Sequence, residues 1–465
     1  LMMYNARIVL ATPEVNRFPM LFDITQGDES LTSHSGLALV GLLLQKTKIK
    51  ERLNVVSLPD HPYPAIAHGD ITQAMIGLLC LGKPDFADIE TFRDDPFFRA
   101  ALHLDCVPSE ATLRQRLDSA HGAFDTILKD EAAGMIARHA PRITPCHKNL
   151  VPLDIDVSPF DNSGTRKEGV SRTYDGGQGY APNFAYLGVE GYLINAELRE
   201  GRQHGQKGTP AFLRESIVLA RRVTAAPLLV RLDAGNHSQD NIAVCIEENV
   251  DWLIKRNLRQ ESKATWLAIA RELGTASTPR PGKTVYRGAF AVAQEGSDRP
   301  AYRVFEVTER TCDPNGQIFL TPEIEVDTYD TSRPDAPETI IAWYHAHGTS
   351  EQFHSEIKSD MDLERLPSGK FATNALVLLL GLVAFNCLRL CGQEALRDEG
   401  LPPADRAPVR KKVSRRRLRS VMQDLMYMAC RVITHARRAG LSFGRGNAWY
   451  RVWRRVYLRF AAATG

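Results

Sequence analysis

No apolar run in this chain is long enough to cross a membrane. A span needs roughly 18 or more consecutive apolar residues, and the best candidate, ALVLLLGLVAF at 375–385, stops short and reads as a buried helix. The apolar opening lacks a basic n-region and a small-residue cleavage site, so no signal peptide is expected. Cysteine is sparse: there are eight, with no CxxC, and only Cys387 and Cys391 sit close, at i,i+4 in an apolar stretch. That excludes a disulfide framework and predicts reduced, buried thiols, as in a cytoplasmic protein. Two cofactor motifs are also missing. Gly282-Lys283-Thr284 imitates the end of a phosphate-binding loop, but Ser277 stands where the first glycine belongs and a strand pattern follows. The histidines at 345, 347 and 354 surround Glu351 in the wrong order for the H-E-x-x-H zinc motif. The glycines of DGGQGY (176, 177 and 179) follow no clear strand and open no helix, so they read as a loop.

Charge of one sign is lacking overall, since 58 basic residues nearly balance 55 acidic ones. Its distribution is uneven. RAPVRKKVSRRRLR at 406–419 is strongly basic, and 437–459 repeats the bias with interleaved aromatics. Such runs fit a polyanion, because Lys and Arg neutralise phosphates whatever the base sequence. At 465 residues the chain exceeds one average core, which predicts two or three domains.

Periodicity divides the chain into five parts. Residues 1–147 read as mainly helical and DNA-binding, after an opening strand at 5–15. Within them Ser109 is a predicted N-cap. Residues 95–117 read as helix, turn, helix, with Thr112, Arg114, Gln115 and Arg116 as polar contacts. From 148 to 256 strands alternate with helices, which argues for an α/β domain around a mixed sheet. Three β-rich runs at 257–338 read as an inserted subdomain in preference to an extension of that sheet. Helices return at 339–398, and after the proline-rich break GLPPADRAP a basic helical region is expected at 399–465.

Against this background three acidic positions stand out. VPLDIDVS carries Asp154 and Asp156 on one side of a predicted strand, and PLLVRLDAG ends a second strand at Asp233. Asp156 lies nearer the C-terminal end of its strand, where open α/β sheets place their chemistry. It is therefore preferred as the direct ligand, with Asp154 as its support or as the alternative first carboxylate. Downstream, WYHAHGTSEQFHSEIKSD taken as α-helix projects Tyr344, His347, Glu351 and Lys358 to one side and turns His345 and Glu356 away. Carboxylates from two strands and a helix are what a divalent-metal site for phosphoryl transfer needs, because hard cations prefer carboxylate oxygen.

The spacing of Tyr344, His347, Glu351 and Lys358 resembles the Y-(2)-R-(3)-E-(6)-K signature of DDE transposases from bacterial insertion sequences. The two strand ends are similar to that family's first and second aspartates, and the resemblance covers about 150–390. It implies an α/β fold with a ribonuclease-H-like mixed sheet, flanking helices, an inserted β-rich subdomain and helical N- and C-terminal regions. It further implies that Asp156, Asp233 and Glu351 hold two Mg²⁺ ions, with Mn²⁺ as a substitute. Tyr344, His347 and Lys358 would then contact DNA phosphates, His347 replacing the signature arginine with a shorter, conditionally charged group. The implied partners are double-stranded DNA with terminal inverted repeats, target DNA, and a second copy of the chain on DNA. Neither a membrane nor a nucleotide cofactor is expected, and the location is cytoplasmic, nucleoid-associated when on DNA. The alternatives are a catalytically inactive DNA-binding relative and a nuclease that does not join strands.

Overall fold

In a computed structural model, residues 24, 26–139, 141–294, 297–409, 413–435 and 438–463 are described. The expected opening strand at 5–15 lies outside the described residues.

The scaffold of the site is a nine-stranded mixed sheet, numbered here in chain order. Its strands are β1 (Val151–Val157), β2 (Asn183–Leu187), β3 (Tyr192–Glu197), β4 (Leu228–Leu232), β5 (Asp251–Lys255), β6 (Thr275–Arg280), β7 (Lys283–Gln294), β8 (Ser297–Cys312) and β9 (Ile318–Thr331). Across the sheet they run β6-β7-β8-β9-β5-β4-β1-β2-β3. β1 pairs antiparallel with β2 and parallel with β4, which in turn runs parallel to β5. The parallel strands read as nearly unbroken apolar runs because both faces are covered, and every residue of β4 is buried. The helices Thr209–Val223 and Gln239–Glu247 supply the crossovers that parallel neighbours require. This five-strand core with flanking helices is the ribonuclease-H-like α/β fold.

β6 to β9 are inserted between β5 and the helices that follow, but they are not detached from the sheet. Tyr329–Thr331 of β9 pair with Lys255–Leu253 of β5, so the insert prolongs the main sheet. The expected separate subdomain is thus an insertion in sequence and an extension in space. Its outer part has a small core of its own, in which Trp266, Leu267 and Ala270 pack on Phe305 and Val307.

The ends of the chain share the main core. One hydrophobic cluster runs from Leu37 to Phe460, centred on the helix Phe371–Leu396. That helix is longer than the apolar run suggested. It packs against the helices His68–Cys80 and Asp125–His139 and against β3, and 94% of its most apolar window is buried in protein. Two terminal expectations are corrected. The C-terminal region is only partly helical: Cys430–His435 and Arg438–Phe443 form a hairpin, extended by Leu31–Thr32, before the helix Tyr450–Ala462. Alternation in CRVITH favours strand over helix there. Near the N-terminus, Ser109 does cap Glu110–Ala120, accepting from Thr112 N at 3.2 Å. Arg116, however, is buried on the Ile66 carbonyl and the His68 ring and is no free polar contact, while Arg114, paired with Glu110, and Gln115 are exposed.

Candidate active site

Two rungs of the β1–β4 pair build the site. Their parallel register sets Asp154 beside Arg231 and Ile155 beside Leu232, which brings Asp156 level with Asp233. Positions two apart on a strand share a face, so the rung 156/233 lies one step beyond the rung 154/231 on the same side.

The inner rung is closed. Asp154 is 2% exposed and takes Arg231 in a forked pair, Nε to Oδ1 at 2.5 Å and Nη2 to Oδ2 at 2.7 Å. Arg231 also donates to the Trp343 carbonyl at 2.6 Å, which ties the sheet to the helix Pro337–His347. On the other side, His347 Nδ1 stands 3.1 Å from Asp154 Oδ1. Burial opposes charge on Asp154, but Arg231 and then His347 outweigh it and hold its pKa below the usual carboxylate value. Burial likewise works against a protonated His347, yet the Asp154 carboxylate prevails and raises its pKa.

The outer rung is open. Asp156 receives Ser350 Oγ at 3.2 Å and shares a 3.2 Å contact with His354 Nε2, whose Nδ1 meets the Tyr186 hydroxyl at 3.1 Å. Despite burial, the His354 contact keeps the Asp156 pKa low. Asp233 follows the end of β4 and accepts from Asn236 N at 3.1 Å and Asn236 Nδ2 at 2.8 Å. No cation faces it among the described residues. Burial, and next the charge of Asp156, push its pKa up. Asp156 and Asp233 thus set two carboxylates side by side, the first in contact with His354 and the second with no cation facing it among the described residues.

The segment carrying Glu351 is not one continuous helix. α-Helix spans Pro337–His347 and Ser350–Ser355, and π-helix spans Glu356–Asp360. Between them Gly348, Thr349, Glu351 and Gln352 donate to carbonyls three residues back, so the chain tightens by one turn. The segment is clamped on the sheet where the β2–β3 turn meets it. Gly191 there has φ +69°, and a Cβ on it would lie 2.2 Å from the Phe353 ring.

A cleft of about 780 Å³ collects the results. Asp156, Asp233, Tyr344, His347, Glu351 and Lys358 all line it; Asp154 does not. Glu351 is exposed, while Tyr344 is half-buried against Tyr329 of the insert at 4.9 Å between ring centres. Lys358 sits over the Phe160 ring at 5.9 Å, and burial lowers its pKa in spite of Glu364 and Asp175. His347 lines the cleft but is only 5% exposed, with Nδ1 turned toward Asp154. Exposed His345 also lines the cleft, contrary to its expected outward phase. Glu356 faces the interior, 1% exposed, on Arg389 and Arg415.

Sequence reasoning missed Arg231, Ser350, His354 as the partner of Asp156, and Tyr174, which lines the cleft with its hydroxyl 3.4 Å from the Val157 carbonyl. Arg231 had a signal: a lone arginine inside an apolar parallel strand needs a buried anion, and Asp154 is the matching position.

The model of the family described as transposase DDE domain group 1 matches residues 23–464. The chain belongs to that family. No curated protein matches it significantly. Among solved structures, a piggyBac transposase synaptic complex with hairpin DNA is similar at 11% identity over 86% of this chain and 82% of that one, with a TM-score of 0.36. The ribonuclease-H-like fold is carried by the order and directions of the sheet's strands. Membership of the transposase family implies a general chemistry, that of DNA phosphodiester bonds.

Proposed function

We propose that this member of the family cleaves DNA at transposon ends and transfers the freed strand into target DNA, in a cut-and-paste reaction dependent on Mg²⁺. The observation that carries this reading is the open pair: Asp156 and Asp233 each follow directly on the paired residues Ile155 and Leu232, and Glu351 lines the same cleft.

The donor set suits the metal. Its oxygens are hard, and burial, then the charge of Asp156, raises the pKa of Asp233. Among the described residues no three His, Cys, Asp or Glu side chains already surround one point, so the carboxylates line a cleft and do not form a closed cage. A wide site with few protein ligands is what Mg²⁺ accepts, since water and phosphate complete its shell. Asp156, Asp233 and Glu351 would hold it, and Mn²⁺ would substitute. When bound, the metal supplies an acidified water and relieves charge at the phosphorus.

The remaining roles belong to the chain. Ser350 and His354 fix the Asp156 carboxylate, and Asn236 fixes that of Asp233. Arg231 and His347 close the rung beneath, which keeps β1 and β4 in register under the reacting groups. Lys358 offers a point charge to a phosphate oxygen, and Tyr344 borders the cleft on the side of the insert. Joining two ends in concert would take two copies of the chain on DNA.

The test is purified protein with Mg²⁺ and labelled DNA bearing the inverted repeats that flank its own locus. Nicking followed by joining is expected. Glu351→Gln should abolish both and leave DNA binding largely intact. Tight binding without chemistry in the unaltered protein would favour an inactive relative, and nicking without joining would favour a nuclease.

A further inference from the structure

Four arginines converge on two interior carboxylates beside the cleft. Glu356 takes Arg389 and Arg415. Asp360, whose side chain is 0% exposed, takes Arg417 at 2.8 Å and Arg419 at 3.3 Å. Three of the four come from the basic stretch that follows the proline-rich break. Four guanidinium groups against two carboxylates leave two positive charges in excess, and a buried excess of that kind is costly unless part of it reaches solvent. It does: the side chains of Arg417 and Arg419 are 50% and 57% exposed.

A groove of about 300 Å³ opens along this cluster, lined by Glu351, Gln352, Ser355, Glu356, Arg415 and Arg417. Glu351 lines both this groove and the carboxylate cleft, so the two are contiguous through it. The groove arginines are pre-oriented. Arg415 Nη2 donates to Gln352 Oε1 at 2.8 Å, and Arg417 uses Nε on Asp360 and Nη2 on both Asp360 and Ser355 Oγ. Among the described residues Arg417 Nη1 makes no hydrogen bond, which leaves a fixed donor at the groove surface. Glu356 does not oppose an incoming anion, because Arg389 and Arg415 already neutralise it.

We propose that this groove binds a phosphodiester of the DNA strand neighbouring the one being cleaved, with Arg417 as the direct contact and Arg415 as its support. The inference rests on the reading of Glu351 as an active-site residue. It gives part of the basic C-terminal stretch a defined role in steering the backbone past Glu351, where a rigid planar donor suits a phosphate better than a mobile lysine would.

The experiment uses duplexes of the transposon end in which single phosphates around the cleavage position are replaced by neutral methylphosphonates. Binding is measured without divalent metal, across a range of salt, for the unaltered protein, Arg417→Ala, Arg417→Lys and Arg419→Ala. The unaltered protein should lose affinity several-fold at one neutralised phosphate next to the cleavage site. Arg417→Ala should be insensitive at that phosphate alone, and its slope of log affinity on log salt should fall by about 1. Arg417→Lys should keep part of the sensitivity and reports the contact if the alanine variant melts early. Arg419→Ala removes the same charge from the same carboxylate outside the groove and should keep the sensitivity. If Arg417→Ala binds DNA with the unaltered pattern at every phosphate, the groove is no subsite. If the unaltered protein binds no DNA, the transposase reading itself falls.

Discussion

The pairs Asp154/Arg231 and Asp156/Asp233 lie two residues apart along β1 and β4, the second where β4 has just ended, yet they are opposites electrostatically. In the inner rung a buried aspartate meets a forked arginine and a histidine, so its negative charge is fully compensated. In the outer rung two aspartates meet each other, with only hydroxyl, amide and imidazole groups at their sides. Substituting Asp233 by Arg would turn the outer rung into a copy of the inner one. The sheet gives one carboxylate an arginine partner and, at the strand ends, leaves a pair of carboxylates without one, and the proposed metal site rests on that contrast.

Breaking the outer rung should have the largest effect on function. Asp156→Asn or Asp233→Asn is expected to reduce cleavage by about a thousandfold or more, as loss of an essential catalytic group does, with DNA binding kept; a gel assay of labelled ends reads both. Breaking the inner rung should have the largest effect on stability. Arg231→Met strands a buried carboxylate and should cost about 3–5 kcal/mol, read as a lower melting temperature. Adding Asp154→Leu should recover most of it, because a buried ion pair replaced as a whole by apolar groups is often near neutral. A double variant as unstable as the single one would contradict the closed-rung account.

The pH dependence of the metal-free protein sharpens the same contrast. The pKa of Asp233 is raised by burial and by Asp156, so the folded protein holds that proton more tightly than the unfolded chain. Its favourable contribution is present below the unfolded carboxyl value of about 3.9 and is lost as pH rises through the folded pKa. Asp233→Asn should therefore melt higher than the unaltered protein at neutral pH and lose that advantage in acid. Asp156, whose pKa is lowered despite burial by His354, has the opposite sign: its contribution is present above the unfolded value and is lost as pH falls through the folded one. Ser350→Ala should show the smallest effect, about 1 kcal/mol for one hydrogen bond to a carboxylate, with cleavage slowed but not abolished.

The strands that carry Asp156 and Asp233 were legible because a parallel strand buried on both faces must be apolar and a strand-end aspartate interrupts the pattern. The partner of Asp154 was not, since the β1–β4 register is a long-range property and Arg231 looks like any strand residue until that register is known. Helical phase gathered Tyr344, Glu351 and Lys358 on one cleft even though the helix is broken at 348–349 and passes into π-helix at 356. It failed for His345, which lines the cleft, and it could not foresee that His347 would turn to Asp154. The basic stretch read as a solvated polyanion binder because its buried partners, Glu356 and Asp360, lie about 60 residues away. Residues 410–412 of that stretch lie outside the described ones. The terminal hairpin was missed although its two strands, Cys430–His435 and Arg438–Phe443, are neighbours in sequence; only its two-residue edge strand, Leu31–Thr32, comes from far away in the chain.

The most direct test of the open rung is thermal melting with and without millimolar Mg²⁺ or Mn²⁺, for the unaltered protein and for Asp233→Asn. A ligand that binds only the folded state raises the melting temperature in proportion to RT ln(1 + [L]/Kd). The unaltered protein should gain stability with either ion, and Asp233→Asn, already relieved of the charge clash, should gain little. Equal shifts in the two proteins, or none in the unaltered one, would contradict the assignment of Asp156 and Asp233 as a metal-holding pair.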